Sequence, residues 1–245
     1  MRRADVEAGL HVPVLRRLCE LGIAVVGAAV RLAVGHALGE GVALHLDTKG
    51  LRLLGEESVL ITRAVENEFV VQTDAEGVVI EKVAIRPAEG CDCGCVSVSE
   101  GSATVKDCDL RGQANVNEGA ELLLQTCTVH DCATAALVVD GIAVSQDCIL
   151  QDCPAGTTVR RCMAGLMVKG KAMIGQGCSI SACIRSGVYA WMVHGGPGEV
   201  TVEEGVGLVC EGNNTNNEEG LGNFVSADGA PITGVAEELI VHDDD

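Results

Sequence analysis

The residues of this chain best placed for acid–base chemistry are two aspartates in repeated surroundings, Asp131 in Cys127-Thr-Val-His-Asp-Cys132 and Asp152 in Cys148-Ile-Leu-Gln-Asp-Cys153. If the two segments are neighbouring parallel strands, their carboxyls stand about one strand spacing apart, roughly 5 Å. That approaches the roughly 5–5.5 Å of a retaining glycosidase pair, and the same two groups could share a Ca²⁺. Arg111, His130 and Gln151 fall in the adjoining outward column and extend the candidate surface. The competing role is structural, because aspartate at a strand corner commonly bonds turn amides.

Three cysteines in Cys91-Asp-Cys93-Gly-Cys95 raise a metal site. Structural zinc sites use Cys pairs two to four residues apart with a distant second pair, whereas one-residue spacing sends thiols to the same side of a strand. They read as core or turn cysteines, and no metal site is assigned. Trp191 and His194 close one repeat and are candidate ligand contacts, with edge packing as the alternative. Asn213-Asn214-Thr215 is a glycosylation sequon that matters only if the protein is exported.

The elements that must position these groups are short. Apolar runs of two to four residues are closed by Gly50, Gly77, Gly101, Gly119, Gly141, Gly170 and Gly195, on average about 24 residues apart. A loose period of that size marks a solenoid. Aligning the repeats puts Cys108, Cys127, Cys148 and Cys178 in one column and Leu110, Val129, Leu150 and Ile180 two residues on. Residues two apart share a strand face, so both columns point inward. Cys132, Cys153 and Cys183 form a further column after the next corner, and Lys106, Gln125, Gln146 and Gln176 align just before the first. Helical solenoids need apolar spacing of three and four residues, and globular parallel sheets need long crossovers; neither pattern is present. The reading is all-β: a right-handed parallel β-helix solenoid of about seven to eight coils. A short helix over 13–21 would cap its N-terminal end.

The run Gly41-Val-Ala-Leu-His-Leu-Asp-Thr-Lys-Gly-Leu-Arg-Leu-Leu-Gly-Glu-Glu57, the run Val78-Val-Ile-Glu-Lys-Val-Ala-Ile85 and the cysteine-marked coils resemble the right-handed parallel β-helix repeat family of pectate-lyase-like fold. Within it the likeness is to non-secreted members whose repeats occur in F-box adaptor and SHC-binding proteins, the carbohydrate-binding and sugar-hydrolase repeat domain. The resemblance spans about residues 22 to 210 and implies fold more sharply than activity. It implies polysaccharides as the class on which enzymes of the fold act, through clustered acidic Ca²⁺ ligands with an arginine base, or through Asn-Thr-Asp, Asp-Asp and Gly-His-Gly sets. This chain lacks Asn-Thr-Asp, has adjacent aspartates only at Asp243–Asp245, and keeps only half of Gly-His-Gly, at His194-Gly195.

Composition narrows the remaining classes. There are 35 acidic and 17 basic side chains, a net charge of -18, and only one Trp, one Tyr and two Phe. Nucleic acid is excluded as a partner, since phosphate contacts need clustered cations and base stacking needs aromatics. A polyanionic substrate is repelled by a field of this sign. The 47% hydrophobic content argues against disorder. The apolar stretch 23–30 is too short to span a bilayer and ends in Arg31, so no membrane partner is expected. Thirteen cysteines, an odd number, in a chain without a convincing signal peptide point to thiols in a cytoplasmic or other intracellular protein, with export as the alternative.

The expected organisation is an N-terminal segment with the cap (1–21), the β-helix (22–210) and an acidic degenerate coil or cap with its tail (211–245). From Glu199 onward the chain carries twelve acidic residues and no Lys or Arg. The expected function is a non-catalytic scaffold binding a protein segment or glycan on its outward columns, without a cofactor unless Ca²⁺ is held. The alternative is a polysaccharide lyase or glycoside hydrolase acting through Asp131 and Asp152.

Overall fold

A computed structural model describes residues 24–26, 29–32, 44–63, 69–88, 94–132, 135–146, 149–151, 164–175, 177–181, 183, 185–191, 198–203, 208–211, 213 and 222–243. The helix expected over 13–21 lies outside the described residues. Within them the chain is strand and turn, with a single 3₁₀ turn at Glu237–Leu239.

Each coil contributes to three parallel ladders. The first holds nine strands, from Leu44–Leu46 and Phe69–Thr73 through Gly94–Val98, Ala114–Val116, Leu137–Val139, Leu166–Val168, Val188–Trp191 and Phe224–Ala227 to Ile240–Asp243. The second and third begin as halves of two long strands, Arg52–Arg63 and Val78–Pro87, which later coils split in two. Ser102–Lys106 pairs with the first half of Val78–Pro87 and Asp109–Arg111 with the second. From there Glu121–Gln125, Ile142–Gln146, Lys171–Ile174 and Glu199–Val202 extend the second ladder, and Thr128–His130, Ile149–Gln151, Ser179–Ser181 and Val209–Glu211 the third. Among the described residues seven coils are three-sided, an eighth has two sides, and Ile240–Asp243 adds one side of a ninth. Among the described residues all strand pairs are parallel except Ala24–Val26 with Ala29–Leu32, which lie antiparallel beside the first coil. This is a parallel β-helix, and such stacked crossovers are right-handed.

The alternation that defines it is the alternation of the sequence. Leu53, Ile80, Val105 and Leu124 follow one another in register up the second ladder, and Ile61, Ile85, Leu110 and Val129 up the third, all buried. Each such side chain contributes about 1.5–3 kcal/mol when withdrawn from water. The expected column Leu110, Val129, Leu150, Ile180 is the paired register of the third ladder. Gln125 pairs with Lys106 on one side and Gln146 on the other, as aligned.

A single left-handed residue makes the elbow between the second and third ladders. Lys82, Asp107, Thr126 and Gly177 all have φ between 51° and 73°. The next residue dives into the interior, and here Cys108, Cys127 and Cys178 are buried. Their thiols donate to carbonyls at the same corner, Cys108 to Lys106 O, Cys127 to Val105 O and Gln125 O, Cys178 to Ser145 O. A small side chain with a weak donor suits a corner where strand carbonyls point inward. Cys95 is likewise inside, donating to Ile85 O and Arg111 O; Cys91 and Cys93 lie outside the described residues.

The glycines do not stack on one another at every turn: Gly77 stands against Ser102 and Ala120 against both Gly101 and Gly141, an offset of one residue, and the turn before Glu199 is offset further. Lys171 pairs with Glu199 and Glu199 N donates to Gly170 O, so Gly198, and not Gly195, stacks on Gly170. The turn after Trp191 is therefore longer than the glycine spacing implied. Within 211–245, Phe224–Ala227, Ile232–Thr233 and Ile240–Asp243 continue the stacking.

Candidate functional site

The outer face of the third ladder carries a connected row of charges. Arg111 and His130 are register partners on neighbouring strands, and Gln151 pairs with Ser181 further along. Arg111 and His130 point outward, since the residues beside them in their strands, Leu110 and Val129, are buried. His130 sits between two carboxylates: Nε2 lies 2.9 Å from Asp109 Oδ1 and Nδ1 lies 3.1 Å from Asp131 Oδ2. Arg86 Nη2 donates to Asp109 Oδ2 at 2.7 Å, and Arg111 Nε stands 3.3 Å from Asp131 Oδ2. The row thus runs Arg86, Asp109, His130, Asp131, Arg111 across three coils.

Burial pushes the Asp109 carboxyl up, but the hydrogen bonds and charges of Arg86 and His130 outweigh it and hold the group below the usual carboxylate range. Asp131 adopts φ 52° at the corner, where a short polar side chain tolerates the left-handed region. Its carboxylate is turned toward His130 and Arg111, an ion-pairing role and not only the turn-capping role considered from sequence. Asp152, its expected partner, lies outside the described residues, and so does the pairing on which the Ca²⁺ expectation rests. Among the described residues no three His, Cys, Asp or Glu side chains converge as metal ligands would.

The structure brings Arg111, His130 and Asp131 together and adds Asp109 and Arg86, which the sequence reading did not include. The signal was present in one position: Asp109 aligns with Thr128, directly after the cysteine column, and so lies diagonal to His130.

Trp191 belongs elsewhere, at the end of a first-ladder strand. Its Nε1 donates to Asp228 Oδ2 at 3.0 Å, and Lys169 Nζ lies 5.9 Å from the ring centroid while standing 3.4 Å from Asp140 Oδ1. Trp191 is therefore held by its own chain on a different ladder from Arg111 and His130, and the two sets do not form one site. His194 lies outside the described residues. A third feature is an open groove of about 460 Å³ over the stacked turns between first and second ladders, floored by turn glycines and edged by Lys49, Glu76, Ser102 and Glu121. Lys49 and Glu76 are ion-paired there.

Asn213, first residue of the sequon, is a corner bracket. Its Oδ1 accepts from Cys183 N, and its Nδ2 donates to Ile180 O and Asn223 Oδ1.

No family model and no curated protein matches the sequence. Among solved structures the chain is similar to the enzymatically active domain of bacteriophage CBA120 tailspike protein 2, with a TM-score of 0.57 at 10% identity, over 80% of this chain and 36% of that one. The likeness is one of fold, a parallel β-helix. A second likeness, to pectate lyase Pel9A, has a TM-score of 0.47 at 12% identity over 88% of this chain and 68% of that one. This β-helix spans about a third of the tailspike chain that it matches. At such identities the likeness is one of backbone, and site residues must be judged on their own geometry.

Proposed function

We propose that this β-helix is a non-catalytic scaffold that binds an uncharged, hydroxyl-rich glycan along the outer face of its third ladder. The observation that carries the reading is the pairing of both carboxylates. Asp109 is kept ionised by Arg86 and His130, so it is ill-suited to protonate a leaving oxygen, and Asp131 is engaged by Arg111 and His130. The row alternates donors and acceptors with its charges compensated, on strands whose inner faces are packed. Such a surface suits a neutral polar ligand better than a polyanion, which the overall charge repels. An extended protein segment is the other occupant considered.

The test is a screen of neutral and acidic oligosaccharides by calorimetry, with a reducing-end assay run on the same mixtures. Binding of a neutral glycan without cleavage, weakened about ten-fold or more by His130→Ala, is expected, since a charge-assisted hydrogen bond contributes about 1.5–3 kcal/mol. Affinity unchanged in His130→Ala and Arg111→Ala would remove the third ladder from consideration. The second reading, a glycoside hydrolase or polysaccharide lyase, draws on the tailspike domain, described as enzymatically active. Product release abolished by Asp131→Asn, with folding intact, would establish it over the first.

A further inference from the structure

Cys108 and Cys127 occupy the same elbow on adjacent coils. Asp109 and Thr128, the residues after them, are register partners, and Thr128 N donates to Cys108 O at 3.0 Å. Both side chains are almost wholly buried, at 4% and 1% exposure. Their sulfurs repeat one arrangement. Cys108 lies on Lys106 O of its own coil and Ile80 O of the coil below, and Cys127 on Gln125 O and Val105 O in the same way. The Cys127 thiol is also hydrogen-bonded to Cys108. In-register parallel neighbours have Cα atoms about 4.8 Å apart, inside the window of roughly 4.4–6.8 Å that a disulfide requires.

We propose that Cys108 and Cys127 form a latent cross-link, closed by a hydroperoxide and opened by thiol reductants, which staples the third and fourth coils together beneath the charged row. Three residues of that row lie on the two strands the link would join, Asp109 and Arg111 after Cys108 and His130 after Cys127, and Asp131 follows His130 at the corner. The consequence for ligand binding rests on the function proposed above; the cross-link itself does not.

The chemistry balances in two steps. The Cys108 thiol gives up its proton and the thiolate attacks the O–O bond of the hydroperoxide, forming a sulfenic acid; the leaving alkoxide takes that proton and departs as the alcohol, or as water if the oxidant is hydrogen peroxide. The Cys127 sulfur then attacks the Cys108 sulfur: the S–S bond forms, the S–O bond breaks, and hydroxide leaves with the Cys127 proton as a second water. Two thiols lose two electrons in total, and the peroxide gains them. Cys108 is the nucleophile because the neighbouring Cys127 side chain, aided by backbone groups of Val83, Lys106 and Lys82, outweighs burial and holds its thiol below the ordinary value. Burial makes the first step slow, and only a small oxidant would reach the elbow.

The experiment treats the folded full-length protein with hydrogen peroxide, then alkylates it under denaturing conditions and maps its peptides by mass spectrometry. A linked peptide pair containing Cys108 and Cys127, lost on dithiothreitol treatment, is expected. So is a rise of roughly 5–10 °C in the thermal midpoint of the oxidised protein, reversed by reduction and absent in Cys127→Ser. Recovery of both residues alkylated, or of either linked to a different cysteine, would overturn the proposal. The peptide map is read on the wild-type chain, so it does not depend on a variant folding. It also needs no ligand: failure of the map leaves the glycan reading standing, and failure of glycan binding leaves the map standing.

Discussion

Two glycines form a matched pair that tests the stacking of the coils. Gly101 and Gly119 close successive turns with φ of 69° and 79°, so an alanine at either position enters the left-handed region. They differ in what a methyl group would meet. At Gly119 nothing lies within 4 Å, whereas at Gly101 the new carbon would stand 2.6 Å from both the carbonyl carbon and the oxygen of Ala75, in the turn of the coil below. The left-handed conformation costs an L-residue about 1–2 kcal/mol, partly offset by about 0.4–1 kcal/mol because alanine also restricts the unfolded chain. Gly119→Ala should therefore cost about 1 kcal/mol. Gly101→Ala carries the same cost plus that of forcing two backbones apart, about 1–3 kcal/mol by analogy with overpacking. It should be the more damaging by about that difference. Urea unfolding followed by far-ultraviolet dichroism at 25 °C measures both against the parent. Equal midpoints for the two variants would mean that the turns are not stacked at one strand spacing, and the solenoid register with them.

Three further outcomes follow from particular side chains. Leu124 is fully buried and Leu123 half-buried on the outside of the same strand, so Leu124→Ala should lose about 2–5 kcal/mol and Leu123→Ala under about 1 kcal/mol, read from the same unfolding curves. The Asp109 carboxyl is held below its ordinary value in the folded state, so its contribution is fully present above the ordinary carboxylate range and is lost as pH falls through the lowered folded value. Unfolding midpoints between pH 6 and pH 2 should fall less steeply in Asp109→Asn than in the parent, and identical slopes would contradict the ion pairs drawn here. Burial, with the neighbouring Cys183 adding to it, pushes the Cys210 thiol up to about 12. Near neutral pH its thiolate fraction is then roughly a thousand-fold below that of an ordinary thiol, and iodoacetamide should label it far more slowly than a solvent-exposed cysteine; rapid labelling in the folded protein would refute the burial.

Much of the site was legible because it shares a periodicity with the fold. Counting from the cysteine column places Arg111, His130 and Gln151 on one outward file, and the paired register joins Arg111 to His130. Arg86 and Asp109 were not found because an ion pair across 23 residues leaves no local trace, and only the coil height brings those two groups together. Trp191 and its partners Lys169 and Asp228 belong to three successive coils, so their association is likewise invisible in a linear reading.

The sequence by itself determined the architecture. Apolar alternation makes strands with one inward face, and recurring glycines set where each coil turns. A repeat too small to bury its own apolar face must stack on the next. The cysteines that first suggest redox or metal chemistry are in large part residues small enough for the elbow. Tertiary structure alone decided the exact height of each coil, as the stacking of Gly198 on Gly170 demonstrates, because register is set by interstrand hydrogen bonds and not by average spacing. It also decided that Asp131 belongs to a five-residue charge row, between His130 and Arg111. Side-chain partners on a solenoid are chosen across the coils, at a separation of one strand, where the chain itself separates them by a full turn.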